Sequence, residues 1–167
     1  KTQVKLIDIV VERRAASVVP TLLELGVNSD LSVRKSALAA VGQLGSPEHI
    51  TNLVTALLAT NAKEREWPEK AILAIYNRHP ELAKQPIHPL LEAFFELSGD
   101  DQAAVLPAVG RVGGTRAREV VDWYLKHPYP FVSDVGWRAL SLWPDASVAP
   151  ELLAAVEKPA SDQRRAM

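Results

Sequence analysis

The segment Ala40-Val41-Gly42-Gln43-Leu44-Gly45 returns as Ala108-Val109-Gly110-Arg111-Val112-Gly113, 68 residues further along the chain. Self-similarity at a fixed distance constrains a fold more than any single residue does, because each copy of a unit must bury the same face against its neighbours. Halfway between the two lies Ala71-Ile72-Leu73-Ala74-Ile75-Tyr76-Asn77, which matches Ala37-Leu38-Ala39-Ala40-Val41-Gly42-Gln43 in apolar or small character at every position but the last. The skeleton extends outward in steps of 31, to Leu6-Ile7 and Ile9-Val10 on one side and to Ala139-Leu140 on the other.

A second series interleaves with the first. Ile50, Leu53, Val54, Leu57 and Leu58 recur 37 residues on as Ile87, Leu90, Leu91, Phe94 and Phe95, then 30 further as Ala117, Val120, Val121, Tyr124 and Leu125. Their spacing is the apolar stripe of an amphipathic helix, so two kinds of helix alternate. Weaker members are Val19, Leu22 and Leu23 upstream, with Ala149, Leu152, Leu153 and Val156 downstream. Ser46 before Pro47, Asp100-Asp101 and Asp145 are helix-start signals, and Gly45 and Gly113-Gly114 are stops. No sustained alternation of period two survives these patterns, which excludes a sheet. The pattern predicts an all-α protein with helices at roughly 3–14, 16–26, 31–44, 47–60, 66–78, 87–98, 101–112, 115–126, 132–143 and 146–157.

A chain of 167 residues with 47% hydrophobic and 23% charged content has the composition of a folded domain and is expected to form a single one over 1–167. The longest apolar runs end within two helical turns, so no membrane span is expected. Nineteen Lys and Arg against twenty Asp and Glu are interspersed, without the basic stripe a nucleic-acid partner requires. No cysteine is present for a disulfide or a thiolate site, and nothing in the sequence fixes a compartment. The chain opens at Lys1, the first helix has no preceding partner, and Ser161-Asp162 reads as the start of another helix. These features lead us to expect an internal segment of a longer multidomain protein, whose unsealed ends associate weakly with other copies.

The run Asp30-Leu31-Ser32-Val33-Arg34, followed by Ala37, Ala40, Val41 and Leu44-Gly45, resembles the bacterial HEAT-like repeats also called lyase-type HEAT repeats. That family places an Asp-x-x-Val-Arg turn before its second helix and closes the helix with Leu-Gly. One unit carries the full pattern, and the others keep its apolar skeleton. The tail from Leu140 to Pro150, with Leu142-Trp143-Pro144-Asp145, is similar to HEAT segments of large bacterial multidomain proteins. The resemblance implies a right-handed α-solenoid of about five helix pairs, whose second helices form a concave wall. It also implies a protein that binds other macromolecules rather than one that catalyses.

A search for chemistry supports that expectation. Of the four histidines, His79, His88 and His127 precede proline and read as turn residues, and His49 has no ligand partner at metal spacing. HEAT-repeat hydroxylases that bind two irons use repeated His-Glu dipeptides, which this chain lacks. Gly110-Arg111-Val112-Gly113-Gly114-Thr115-Arg116 follows a helix rather than a strand, so it reads as a stop and a new start and not as a phosphate loop. Trp67, Trp123, Trp137 and Trp143 read as packing side chains. Trp137-Arg138 with Asp134 keeps open a HEAT-fold enzyme of the DNA-glycosylase kind, with a chromophore lyase or a plain spacer between domains as other readings. Neither a cofactor nor a metal is expected.

Candidate binding residues come from the offsets of 31, 34 and 34, which align Glu12, Gln43, Asn77 and Arg111 as polar positions within apolar second helices. They are expected to form a ladder along the inner wall for a protein or peptide, with Glu92 and Glu96 on the opposite side. Ala40, Ala74 and Ala108 are expected to be buried at equivalent close approaches. Leu6, Ile9, Leu152 and Val156 are expected to lie open at the ends.

Overall fold

A computed structural model describes residues 2–28 and 30–157. Ten α-helices occupy them: α1 (Thr2–Glu12), α2 (Val19–Asn28), α3 (Leu31–Leu44), α4 (Ile50–Ala59), α5 (Glu66–Arg78), α6 (Pro89–Phe95), α7 (Gly99–Val112), α8 (Thr115–Leu125), α9 (Pro130–Leu140) and α10 (Ala149–Glu157). No strand occurs among the described residues, and the fold is all-α. The expected helix start at Ser161-Asp162 lies outside the described residues.

Each helix begins and ends for a local reason. Asp30 caps α3 by accepting from Ser32 N–H at 3.0 Å and Val33 N–H at 3.1 Å, which satisfies donors the helix leaves unpaired. Val33 then enters the core, and Arg34 donates to Glu64 Oε2 at 2.8 Å, tying this turn to the loop before α5. The Asp-x-x-Val-Arg run is thus a cap, a core anchor and an ion pair in sequence. Three of the even-numbered helices start with a 3-10 turn: Ala16–Val18 leads into α2, Pro47–His49 into α4 and Ala146–Val148 into α10. Ala16-Ser17-Val18-Val19-Pro20 and Ala146-Ser147-Val148-Ala149-Pro150 share this entry, with proline in the first turn where its missing N–H costs nothing.

The odd-numbered helices pack in chain order, α1 on α3, α3 on α5, α5 on α7 and α7 on α9, while α2, α4 and α6 follow one another beside them. Between the two rows runs one core that includes Leu38, Ile50, Leu53, Leu57, Ile72, Leu90, Phe94 and Leu106. The odd helices approach closely at glycine. A Cβ on Gly42 would stand 3.1 Å from Ala71 Cα, and one on Gly110 would stand 2.8 Å from Ala139 C and 3.0 Å from its Cα. Gly42 and Gly110 are 68 residues apart, and so are Ala71 and Ala139: the sequence repeat is a repeated helix joint.

Some expectations are corrected. Helix α6 has seven residues, since His88 is extended at the N-cap, Pro89 takes the first helical position, and the chain leaves helical geometry after Glu96. Ile87 consequently precedes the helix and is 51% exposed, and Phe95 is 43% exposed, so neither joins the apolar stripe. Ala40 and Ala108 are buried as expected, but Ala74 is half-buried, and the close approach at that joint is made by Ala71. Leu6, Ile9 and Val156 are exposed, whereas Leu152 packs partly against the core and Leu153 is exposed in its place.

Candidate functional site

Glu12 on α1, Gln43 on α3 and Asn77 on α5 are all exposed, and Arg111 on α7 is half-buried. Glu12 and Gln43 share a hollow of about 460 Å³ with Asp8 and Ser36. Arg111 lines a different hollow of about 430 Å³, together with Arg65, Glu66, Glu69, Asp100 and Arg138, and Asn77 lines neither of the two. The ladder is therefore divided between an acidic hollow at α1 and α3 and a charged hollow across α5, α7 and α9.

The second hollow has the richer chemistry. Arg65 immediately precedes α5 and Glu69 sits in its first turns, while Arg111 and Arg138 occupy the last turns of α7 and α9, where cations favour the helix dipole. Glu69 is 8% exposed and its Oε2 stands 3.7 Å from Arg111 Nε. Burial pushes the Glu69 carboxyl above its ordinary range, and Arg111, Arg138 and Arg65 pull the other way. Neither the Arg65 nor the Arg138 guanidinium makes an ion pair or hydrogen bond with a described residue. The Nε atoms of Arg65 and Arg111 are buried without an acceptor. Pro107 lines the same hollow from within α7, where it lacks the N–H that would otherwise bond to the Ala103 carbonyl. The arrangement can hold an anion. A planar guanidinium presents its donors in a fork that matches a carboxylate.

Sequence reasoning missed Glu69 and Arg65. Glu69 had a legible signal, for it lies three residues before Ile72 and in phase with Ile72, Ile75 and Tyr76, so a carboxylate sits on an apolar stripe. Arg65 carries no such mark.

The other candidates resolve as follows. His88 is 1% exposed and capped into the core: its Nδ1 lies 2.7 Å from Tyr76 Oη and accepts from Leu91 N–H at 3.4 Å, while Tyr76 Oη accepts from Leu90 N–H at 3.2 Å. That network places the ring proton on Nε2, which is buried near Gly113 without meeting an acceptor. Burial lowers the His88 pKa to about 4, opposed by the Gly113 backbone. His49 closes the turn before α4, accepting from Ser46 N–H at 3.1 Å. Trp67, Trp137 and Trp143 pack partly against the core, but Trp123 is 59% exposed and corrects its reading as a packing residue. It begins a surface run of rings, 5.0 Å from His127, which is 5.4 Å from Tyr129, which stacks 6.1 Å from Phe131. Beside it, a hollow of about 380 Å³ is lined by Phe94 and Phe95 of α6 and by Arg116 and Tyr124 of α8.

Among the described residues no group of three or more His, Asp or Glu side chains is placed to hold a metal ion, and no helix is long and apolar enough to cross a membrane. Comparison of the chain with family models, curated proteins and solved structures finds no match in any of the three, and what the chain does is read from its own geometry.

Proposed function

We propose that the chain is a HEAT-like α-solenoid of about five helix pairs and serves as a non-catalytic scaffold, docking a protein or peptide on the face formed by its odd-numbered helices. Two kinds of helix alternate, each odd helix touches the next, and the glycine joints at Gly42 and Gly110 draw the odd row together. In this reading the odd face is the concave one, since a stack whose one row is closer than the other curves toward that row. The observation that carries the reading is the hollow of Arg65, Arg111 and Arg138 on that face, because arginine is among the side chains enriched where partners anchor.

Random peptides displayed on phage and selected against the chain test this. Peptides that use the odd face should bind at least tenfold more weakly, about 1.4 kcal/mol, to the Arg111→Gln, Asn77→Ala double variant, with the helical circular dichroism unchanged at the binding temperature. Binding that survives this variant and is lost on changing Glu92 and Glu96 would put the working surface on the even helices and refute the proposal. Weak self-association through the end at α1 belongs to the same proposal: Leu6 and Ile9 are exposed there, beside an apolar hollow between α1 and α2 lined by Val10, Leu22 and Leu25. Leu6→Lys should abolish any concentration-dependent sedimentation.

A further inference from the structure

Resting on the reading of the odd face as a docking wall, we infer that the hollow formed by Arg65, Arg111 and Arg138 is a carboxylate pocket, which takes an Asp or Glu side chain from an acidic segment of the partner. Three guanidinium groups, one from the residue before α5 and the others from α7 and α9, line one hollow, and each has a different state of pairing. Arg111 is turned toward Glu69 at 3.7 Å, close enough for attraction and too far for a hydrogen bond, so its buried Nε–H has no acceptor. Arg65 has a buried Nε–H in the same condition, and Arg138 is exposed with no acceptor on any described residue. Four other arginines are engaged, Arg34 by Glu64, Arg116 by Glu119, Arg118 by Asp122 and Glu151, and Arg78 by two backbone carbonyls, while Arg13 and Arg14 are exposed. The buried Nε–H groups leave the outer guanidinium nitrogens of Arg65 and Arg138 as the donors that an incoming oxygen meets.

The charges around the hollow choose the ligand. Glu66 is engaged by Lys70 at 3.3 Å, and Glu69 faces Arg111, which leaves Arg65 and Arg138 against the single carboxylate of Asp100. The lining itself is balanced, three arginines against Glu66, Glu69 and Asp100; with Lys70, which engages Glu66 from outside the hollow, the surplus is one positive charge, which a single carboxylate neutralises. A phosphate backbone brings one charge for every nucleotide and would meet Glu66, Glu69 and Asp100 at close quarters, with no basic stripe to either side to compensate. The acidic hollow at Asp8 and Glu12 lies at the other end of the same helix row, so the acidic residue of a bound segment is directed to the α5–α9 end.

The probe is a blocked decapeptide of alternating Glu and Ala, titrated into the chain while the arginine Nε–Hε resonances are followed by NMR. The Nε–Hε signals of Arg65 and Arg138 should shift together and saturate, and the same peptide with Gln for Glu should leave them in place. Arg65→Gln combined with Arg138→Gln should weaken the acidic peptide at least tenfold with an unchanged thermal midpoint, and Arg65→Lys, which keeps the charge and loses the fork, should fall between. Shifts confined to the side-chain amides of Gln43 and Asn77 would overturn the pocket while leaving the docking wall standing. No shift at either arginine overturns the pocket, and so does a single-stranded thymidine decamer that binds these arginines more tightly than the peptide does.

Discussion

The joint of α3 with α5 and the joint of α7 with α9 occupy equivalent places 68 residues apart, yet they are locked by different means. At the first, Gly42 and Ala71 leave a little room, and Arg78 from the last turn of α5 reaches across to donate to the carbonyls of Gly42 and Gly45 at the end of α3. Charge there does what a cap does, satisfying carbonyls the helix leaves over. At the second, Gly110 lies directly on the Ala139 backbone, and the position equivalent to Arg78 is Ala146. In place of a clamp, the chain after α7 turns through Gly113 and Gly114 at φ 73° and 100°, and Pro144 covers Gly113 so closely that a Cβ would stand 2.7 Å from its Cγ. One joint is held by hydrogen bonds and the other by steric fit. A polar lock tolerates small displacements, and a packed one does not.

The largest effect that separates them is expected at the tighter joint. Gly110→Ala places a methyl group inside the contact distance of rigid backbone, so α7 and α9 must move apart, at a cost of about 3 kcal/mol or more in urea denaturation. Gly42→Ala should cost less, about 1–2 kcal/mol, because the new methyl meets Ala71 Cα at 3.1 Å and Ala74 Cβ at 3.4 Å, contacts that a shift of a few tenths of an ångström relieves. Equal losses would show that the joints are interchangeable.

A pH titration of stability should sharpen the comparison almost as strongly, since the buried His88 borders the second joint through Gly113. Its folded pKa of about 4 lies below the ordinary 6.5, so the unfolded chain takes up the proton first as the solution is acidified. The stabilisation is therefore complete above pH about 6.5 and disappears as the pH falls toward about 4, a loss on the order of 3 kcal/mol. His88→Gln should flatten that part of the profile, and an unchanged acid limb would mean the ring is not the group responsible.

At the first joint, Arg78→Met should cost about 1–2 kcal/mol through the freed carbonyls of Gly42 and Gly45, and should speed amide exchange at the end of α3 while leaving α7 protected. The smallest effect concerns Ala74. The repeat suggests a fully packed position, but the side chain is half-buried, so Ala74→Phe should cost under about 1 kcal/mol, near the bottom of the range for overpacking. A loss as large as that of Gly110→Ala would restore the equivalence of Ala74 with Ala108.

The helices were legible because burial on one face leaves a period that neighbours in sequence cannot hide: Ile50, Leu53, Val54 and Leu57 are all in the core. The exception, α6, shows the limit of that period. Ile87 fits the stripe by spacing, but His88-Pro89 fixes the start of the helix one residue after it, and backbone stereochemistry overrules the pattern. Trp123 was legible and misread, for Ala117, Val121 and Tyr124 define the buried face of α8 and residue 123 points away from it. The charged hollow was legible only at Arg111. Arg65, Glu69 and Arg138 meet it from separations of 46, 42 and 27 residues, none of them a step of the repeat, so no offset could align them.

Gly110 also bears on what likeness between the two halves of this chain means. Any residue but glycine at 110 brings a Cβ into the Ala139 backbone, and although the unit between has Tyr76 at the equivalent place, the two units that share this joint are held alike at Gly42 and Gly110 and are free to differ at Gln43 and Arg111. What stays recognisable between the copies is therefore the record of where two helices have no room, and it says nothing of what the protein touches. Divergence carries that second kind of information: where a neutral amide in one unit stands opposite a guanidinium in the next, the copies have been left free to acquire separate tasks.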